Sequence, residues 1–381
     1  ELYSNIIELY SLHFENILQN NNLNNNLNEE FNNDLINIII ITKKLIHTFV
    51  IPIRSYKNTF IRFKLTPNKK VIIKNKIEYL KNIPQAEQRT EDWYNFRHNT
   101  LTASSIWKVF YSESSQNQLI YEKCKPITIN KSAHVNTETP CHWGNKYEPL
   151  SILYYEFIYN TKIDDFGCIP HYTYRYIAAS PDGINCLETN DRYGRMLEIK
   201  NIVNRDITGI PKMEYWIQMQ IQMEVCNLNE CDFLETRFIE YESQEEYLND
   251  PSFNLSNSSI YNNFYRGKIL LFQDDGVPYY KYHNFGLSII DIDKWEEEQM
   301  NIYKDLTWIK TIYWKLSEIS CILVLRNKLW FNTAHPYIKL LWDIIEKEKN
   351  KDYSHRQPKR KKINNTNSID TIDISNIYKC L

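Results

Sequence analysis

The segment RMLEIKN, residues 195–201, places a carboxylate and an ammonium group two positions apart in an apolar run. The run predicts a β-strand, and side chains alternate between the two faces of a strand. Glu198 and Lys200 are therefore expected on one face, and Leu197 and Ile199 on the other. Such a charged pair indicates either an exposed ion pair or a site that uses both charges.

A second carboxylate stands upstream, at Asp182 in the segment SPDG. Gly183 allows the chain to turn sharply there, and two antiparallel strands would bring Asp182 next to Glu198. Two carboxylates at close range repel each other unless a divalent cation lies between them. Oxygen ligands without His or Cys favour Mg²⁺ or Mn²⁺ over zinc, so these two acids predict such a site.

Lys200 would complete the chemistry of that site. Its ammonium group would orient a water molecule or neutralise charge that develops on a phosphate, next to a metal that activates the water. These are the needs of phosphodiester hydrolysis. The segment LEIK alone is more typical of a solvated strand face. With Asp182 the two interpretations balance, and the remaining motifs decide between them.

The elements that carry these residues alternate between helices and strands. Residues 141–160 predict a helix with Glu148 in its N-terminal third, and the polar turn TNDRYGR joins the strands of Asp182 and Glu198. The order predicts a mixed α/β sandwich. The other expected elements are helices over 66–84 and 213–226, two short helices within 89–110, a strand over 231–241, a hairpin around Asp275–Gly276, and two or three helices from about 291 to 347.

Composition limits the function only loosely. The chain has 381 residues, 43% of them hydrophobic, and its 45 Lys and Arg nearly balance 47 Asp and Glu, so overall charge does not indicate nucleic acid. Eight cysteines without a CxxC pair argue against a zinc ribbon or disulfide scaffold and favour a reducing compartment. Cys124, Cys141, His142 and Cys168 lack zinc-site spacing. No membrane span or signal peptide is expected.

Five motifs decide the matter by their order along the chain. They are Trp93 and Arg97 followed by TAS at 102–104, GNKYE with Glu148, ASPDG with Asp182, LEIK with Glu198 and Lys200, and YWIQMQIQ with Gln218 and Gln220. Over roughly residues 89–240 the sequence resembles the lambda-exonuclease or YqaJ-type viral recombinase family of PD-(D/E)XK nucleases. It is most similar to versions encoded by large nucleocytoplasmic DNA viruses.

The resemblance implies a restriction-endonuclease-like PD-(D/E)XK core, an α/β fold with a central mixed β-sheet flanked by helices and with extra N- and C-terminal helices. Residues 67–347 are expected to form the nuclease domain. Residues 1–66 are expected to be an extension of two helices joined by an Asn-rich linker. Residues 348–381 are expected to be a basic, disordered tail, whose run HRQPKRKK indicates a DNA contact, a nuclear signal or simply a solvated end.

The resemblance also implies a role for each acidic residue of the site. Asp182 and Glu198 would bind the metal together with the backbone carbonyl of Ile199, and Glu148 would serve a second metal or its water shell. Lys200 would act on the nucleophilic water. The ordinary alternative for Glu148 is an outward-facing glutamate on a helix.

The remaining residues would handle the substrate. Gln218 would orient the nucleophilic water or the scissile phosphate, and Arg97 and Ser104 would bind a terminal 5′-phosphate, as a guanidinium beside a hydroxyl at a helix N-terminus can. Gln218 and Gln220 cannot share a helical face, whereas Gln218 and Gln222 can. The ordinary alternative for Arg97 is a surface arginine.

The implied function is a metal-dependent DNA exonuclease that uses Mg²⁺, or Mn²⁺, as one or two ions and digests duplex ends from 5′ to 3′. Viral recombination, repair or replication, with a single-strand annealing or binding protein as partner, follows from the same resemblance. Oligomeric rings can make digestion processive in this family, but nothing in this sequence fixes a ring, and the long flanking helices could block one. The expected location is the host cytoplasm or the virion, or the nucleus if the basic tail is a signal. No membrane association is expected.

Two other functions stay open. A structure-specific endonuclease would use the same core, and a catalytically inactive DNA-binding scaffold would have lost a ligand. One departure from the family is visible at once, because the family often has Cys-Pro after the strand lysine and this chain has NIV at 201–203. This departure puts the local DNA contacts in doubt, although catalysis should survive it.

Overall fold

A computed structural model describes residues 33–34, 36–42, 53–56, 65–88, 90–127, 139–253, 260–261 and 264–358. The chain divides into two compact units, residues 1–53 and 54–381. In the first unit, residues 33–34 and 36–42 are helical, within the apolar run where the second N-terminal helix is expected. The first N-terminal helix, the Asn-rich linker and the tail beyond residue 358 lie outside the described residues, so the domain boundaries stay predictions.

The second unit contains the helices and strands that follow. Its helices are α1 (Pro67–Asn82), α2 (Glu91–His98), α3 (Ala103–Ile106), α4 (Glu113–Cys124), α5 (Pro140–Tyr159), α6 (Met213–Val225), α7 (Gln244–Asn249), α8 (Ile289–Ile302) and α9 (Lys328–Glu348). Its strands are β1 (Leu101–Thr102), β2 (Ile163–Asp164), β3 (Ile169–Pro170), β4 (Ile177–Ala179), β5 (Gly183–Asn185), β6 (Met196–Asn201), β7 (Glu230–Glu240), β8 (Ile260–Tyr261), β9 (Phe264–Asp274), β10 (Val277–Tyr282) and β11 (Thr307–Leu325).

The strands form two sheets within the described residues. The larger has eight strands in the order β10-β9-β11-β7-β6-β5-β2, with β8 paired to β9, and the smaller has the order β1-β4-β3. The pairs β6–β7 and β1–β4 are parallel, and the other pairs are antiparallel. The expected α/β fold with a central mixed sheet flanked by helices is therefore confirmed.

Most expected elements form, and the main error lies near the C-terminus. The hairpin at Asp275–Gly276 and the helix over 213–226 appear as β9–β10 and α6. Two of the two or three helices expected from about 291 to 347 form as α8 and α9, but the strand between them is missed, since β11 occupies 19 residues there. Its sequence TWIKTIYWKLSEISCILVL is rich in β-branched and aromatic residues, which favour strands, and it fills the place between β7 and β9.

Helices pack on both faces of the larger sheet, and the alternation along β6 shows how. Met196 belongs to the apolar cluster that contains α6 and α9, whereas Leu197 and Ile199 belong to the cluster on the α5 side. Glu198 and Lys200 therefore face α6, as the alternation along LEIK predicts. Within the described residues, no helix is long and apolar enough to cross a membrane.

Candidate active site

The end of β5 brings the two central acids together. Gly183 pairs with Leu197 and Ile184 with Met196, so the next residue outward, Asp182, comes level with Glu198. Asp182 Oδ2 accepts a hydrogen bond from the backbone N–H of Ile199 at 2.7 Å. A Cβ atom at Gly183 would lie 2.1 Å from a methyl carbon of Ile163, so only glycine allows this close approach.

Glu198 is completely buried and is held by three donors. Oε1 accepts a hydrogen bond from Gln218 Nε2 at 2.7 Å and forms an ion pair with Lys200 Nζ. Oε2 accepts a hydrogen bond from Gln222 Nε2 at 2.7 Å. A buried carboxylate is tolerated only when it is paired and hydrogen-bonded, and these donors meet that requirement. The ring of Tyr215 lies 5.2 Å from the Lys200 ammonium group and supports it from the side.

Negative charge is concentrated around Asp182. Burial raises the pKa of Asp182 well above its ordinary value, and the charges of Glu198 and Glu148 raise it further, against the opposing effect of Lys200. Burial lowers the pKa of Lys200, but the charges of Glu198 and Asp182 outweigh that effect and raise it overall. Three carboxylates thus face one ammonium group, an imbalance that an added cation would relieve.

Asn201 fixes the helix that carries Glu148. Its Oδ1 accepts hydrogen bonds from Ser151 Oγ and Thr236 Oγ1, both at 2.7 Å, and its Nδ2 donates to the carbonyl of Gly144 at 3.2 Å. Gly144 and Ser151 lie four residues before and three residues after Glu148, on the same face of α5. Glu148 is half-buried and its charge acts on Asp182, so it faces the site and not bulk solvent.

We call the hydrogen bonds of Asn201 to Ser151, Thr236 and Gly144 the Asn201 tether. The tether lies at the position where the sequence departs from the family. Asn201 is the first residue of the NIV segment that stands in place of Cys-Pro. The sequence shows only the departure, whereas the structure shows that Asn201 sets the position of α5 against β6. No sequence signal could have identified this role, because Ser151 and Thr236 are brought to Asn201 only by the fold.

The glutamines of α6 divide as helical spacing predicts. Gln218 and Gln222 both reach Glu198, while Gln220 points the other way, donates to the carbonyl of Leu325 at 2.9 Å and accepts from the N–H of Asn327 at 2.6 Å. Gln222 Nε2 also lies 3.3 Å from the carbonyl of Ser180, two residues before Asp182. Gln222 is therefore a site residue that the motif comparison missed, although its i,i+4 spacing from Gln218 signals it.

The predicted phosphate residues meet beside this cluster. Arg97 Nη2 donates to Ser104 Oγ at 3.3 Å, and the guanidinium lies 4.4 Å from the centre of the Trp93 ring. Burial lowers the pKa of Arg97, while the neighbouring Cys168 thiol raises it. Cys168 also faces Ser180, on the strand end that leads to Asp182. Arg97 is thus a half-buried residue next to the site and not a free surface arginine.

Lys123, on α4, lies next to Arg97. Its ammonium group donates to the backbone carbonyl of Arg97 at 2.6 Å. Burial, followed by the charge of Arg97, lowers its pKa to about 8. The cations of Arg97 and Lys123 thus lie next to each other, and Arg97 donates to the exposed hydroxyl of Ser104. Together these groups favour an anionic ligand at this position.

The donor set around β6 fits a hard divalent cation. Within the described ranges, no group of three or more His, Cys, Asp or Glu side chains is close enough to hold a metal by itself. Mg²⁺, however, is commonly held by one or two carboxylates with water and substrate phosphate completing its shell. Asp182 and Glu198 with the Ile199 carbonyl would be such a set. Cys124 and Cys168 are buried free thiols, which agrees with their expected ordinary role.

Comparison with known proteins agrees with this arrangement. Residues 92–229 match the family model described as the YqaJ-like viral recombinase domain. This segment of the chain is similar to that domain. The expected resemblance is thereby confirmed, and the matched segment contains the predicted site residues Arg97, Ser104, Glu148, Asp182, Glu198, Lys200 and Gln218.

A curated relative of the chain is a viral protein. An uncharacterized protein of Acanthamoeba polyphaga mimivirus is 29% identical over 306 residues, which are 71% of this chain and 54% of that protein. The chain thus spans about half the length of the curated relative that it matches. This relationship agrees with the expected likeness to proteins of large DNA viruses.

Two of the solved structures with similarity to the chain are described as exonucleases. An alkaline exonuclease from Laribacter hongkongensis is 18% identical, with 70% of this chain and 97% of that chain covered and a TM-score of 0.40. A phage-related exonuclease from Haemophilus somnus is 12% identical, with 66% and 96% covered and a TM-score of 0.34. At these levels of similarity neither structure supports an argument about individual residues.

We call Glu198 and the side chains around it, Asp182, Lys200, Gln218 and Gln222, the Glu198 cluster. The two faces of α6 provide a test of this cluster. Gln222→Met should remove one of the donors that orient Glu198 and lower the affinity of the chain for Mg²⁺ about 10–100-fold, as losing a partner of a ligating carboxylate does. Gln220→Met is the matched control, since it alters the same helix on the opposite face. Titration calorimetry with Mg²⁺ measures both variants. Equal affinity losses in both would contradict a specific role for Gln222.

The Asn201 tether predicts a loss of stability. Asn201→Ala leaves the buried hydroxyls of Ser151 and Thr236 without their shared acceptor, which should lower the free energy of unfolding by about 1–3 kcal/mol. Asn204→Ala, at an exposed position three residues later, should change it by less than about 0.5 kcal/mol. Urea unfolding measures both values. A cost at Asn201 no larger than at Asn204 would show that the tether contributes nothing.

Proposed function

We propose that this protein is a metal-dependent DNA exonuclease that hydrolyses phosphodiester bonds from the 5′ ends of duplex DNA. The observation that carries the proposal is the buried Glu198 carboxylate, hydrogen-bonded by Gln218, paired with Lys200 and level with Asp182. Mg²⁺ is the proposed ion, with Mn²⁺ as the alternative. A structural role alone would not require three carboxylates around one ammonium group.

The chemistry divides between the ion and the chain. When bound by Asp182, Glu198 and the Ile199 carbonyl, a divalent cation would lower the pKa of water and stabilise charge on the phosphate and leaving oxygen. The Lys200 ammonium group would hold the attacking water or stabilise the developing phosphate charge. Gln218, whose Nε2 already donates to Glu198, would orient the water or the scissile phosphate through its remaining polar atoms.

We propose attack from a 5′ end because a group of cationic and hydroxyl side chains lies next to the Glu198 cluster. Arg97 and Ser104 would bind the terminal phosphate, because a guanidinium and a hydroxyl at 3.3 Å from each other can donate to the same anion. Their link through Cys168 to Ser180 would keep this phosphate at a set distance from Asp182. Recognition of an end favours an exonuclease over an endonuclease on the same core.

The biological setting is also a proposal. The similarity to the YqaJ-like viral recombinase domain supports a role in viral DNA recombination, repair or replication, with a single-strand annealing or binding protein as the partner that receives the product. The host cytoplasm, the virion or the nucleus would be the place of action. An oligomer that encloses the DNA would make digestion processive.

Digestion of labelled linear duplex tests the proposal. With Mg²⁺ the native chain should degrade the strand that carries a 5′-phosphate, and EDTA should stop the reaction. Glu198→Gln should lower the rate about 10²–10³-fold or more, because it weakens a ligand of a cation worth several kcal/mol. Glu188→Gln, an exposed acid paired with Lys74, should have no effect.

The form of the DNA distinguishes the alternatives. Cutting of closed circles would favour an endonuclease, and DNA binding without cutting in any metal would favour an inactive scaffold. A rate for Glu198→Gln equal to the native rate would remove the basis of the proposed site.

The chemical group at the 5′ end of the DNA provides a separate test of the proposed phosphate site at Arg97 and Ser104. The native chain should prefer a 5′-phosphate to a 5′-hydroxyl end, and Arg97→Met should reduce that preference about 10–100-fold, the value of a lost charge-assisted hydrogen bond. The 5′-hydroxyl substrate serves as the internal control, since Arg97→Met should leave its rate within about 3-fold. An unchanged preference in the variant would show that Arg97 does not bind the terminal phosphate.

A further inference from the structure

A cavity lies away from the Glu198 cluster, where α1, the turn between β3 and β4, and the C-terminal end of α6 meet. Its volume is about 570 Å³. The residues that matter for its chemistry are Lys76, Tyr79, His171, Tyr172, Glu224 and Arg326. None of these residues has a part in the proposed hydrolysis.

Positive charge dominates one side of the cavity. Lys76 Nζ donates to the carbonyl of Asn227 at 2.6 Å, and Arg326 donates to Glu224 Oε2 and to Asn227 Oδ1, both at 2.9 Å. Burial lowers the pKa of Lys76, and the charges of Arg326 and Lys328 lower it further. Two cations of the cavity wall, Lys76 and Arg326, therefore face one carboxylate, Glu224, and this excess of positive charge favours an anionic ligand.

The basic character continues along α1. This helix contains five lysines and a single acid, in the sequence PNKKVIIKNKIEYLKN. Lysines clustered along one helix are the electrostatic signature of nucleic-acid binding, even though the whole chain is close to neutral.

Two aromatic rings stand at the mouth of the cavity. The side chains of Tyr79 and Tyr172 are 46% and 70% exposed, and their ring centres lie 6.3 Å apart in an edge-to-face arrangement. Exposed aromatic rings beside cations are the usual means by which proteins stack the bases of single-stranded DNA.

His171 adds a buried donor without a partner. Its Nδ1 accepts hydrogen bonds from the N–H groups of Thr173 and Tyr174, both at 3.0 Å, so the proton of the neutral ring is on Nε2. Nε2 has no hydrogen-bond partner among the described residues, and Glu224 Oε1 lies 4.0 Å away, too far for a hydrogen bond. His171, which is only 7% exposed, thus keeps an unused N–H group that is buried beside the cavity and is not open to it.

We propose that this cavity binds one nucleotide of a single DNA strand. Lys76 and Arg326 receive the phosphate, and the base stacks on Tyr172, the more exposed of the two rings. The inference deepens the proposed nuclease function and rests on it, because digestion of one strand of a duplex supplies the single strand. A released mononucleotide has the same chemistry, and the experiment separates the two sources.

The test measures binding without catalysis. Fluorescence anisotropy of a labelled oligothymidine of about 12 nucleotides, with the full chain in EDTA, gives the affinity. Lys76→Ala should weaken binding about 5–10-fold and reduce the slope of log K against log salt by about 0.7, the value for one phosphate contact on a single strand. Lys74→Ala is the matched control on the same helix, because its ammonium group is exposed and pairs with Glu188.

The aromatic contact has its own pair of variants. Tyr172→Ala should weaken binding about 5-fold or more, since stacking of one base is worth about 1–3 kcal/mol. Tyr172→Phe keeps the ring and should stay within about 2-fold of the native affinity. Thermal unfolding of each variant shows that it is folded. His171 is left in place because its Nδ1 holds the backbone turn.

Each outcome decides the inference. Equal effects of Lys76→Ala and Lys74→Ala, or native affinity in Tyr172→Ala, would overturn it. Binding of dAMP that Lys76→Ala weakens, together with oligonucleotide binding that Lys76→Ala leaves unchanged, would assign the cavity to a free mononucleotide and overturn the strand proposal. Failure of the nuclease function is seen separately, since it appears as duplex DNA that stays undigested in Mg²⁺ and in Mn²⁺, whatever the oligonucleotide affinities are.

Discussion

The burial of the Glu198 carboxylate is the constraint on which the rest of the structure depends. A carboxylate removed from water costs several kcal/mol unless charge and hydrogen bonds compensate it. Lys200 provides the charge from the same strand, and Gln218 and Gln222 provide the hydrogen bonds from α6. Helix α6 is therefore fixed in rotation over β6, because a turn about its axis would withdraw both glutamines together and leave the charge uncompensated.

The other acids meet Glu198 because β5 ends early. Strand pairing stops at Gly183, and the next N–H group along β6, that of Ile199, is received by the Asp182 carboxylate instead of by a strand. Helix α5 lies on the opposite face of the sheet from α6, and Asn201 holds it so that Glu148 reaches the same edge. Acids from both faces of the sheet thus converge at one strand edge, where a hard cation and a phosphate would have access.

Much of this site can be predicted from the sequence, because strand and helix periods assign side chains to faces. The alternation along LEIK places Glu198 and Lys200 together, and the four-residue spacing pairs Gln218 with Gln222. What the sequence cannot predict depends on contacts between distant segments. The tether from Asn201 to Ser151 and the link from Arg97 to Ser180 exist only in the fold. The strand β11 is missed because its apolar run lacks turn residues and is long enough to be taken for a helix.

The most direct test of the central claim is the unfolding temperature of the native chain and of Asp182→Asn, each without DNA and with increasing Mg²⁺. The account predicts that Asp182→Asn is the more stable of the two without metal, because the repulsion with Glu198 and Glu148 is relieved. It also predicts that only the native chain gains stability as Mg²⁺ is added, since a ligand that binds the folded state alone stabilises it. Equal gains in both proteins, or no gain in the native chain, would contradict a cation site between Asp182 and Glu198.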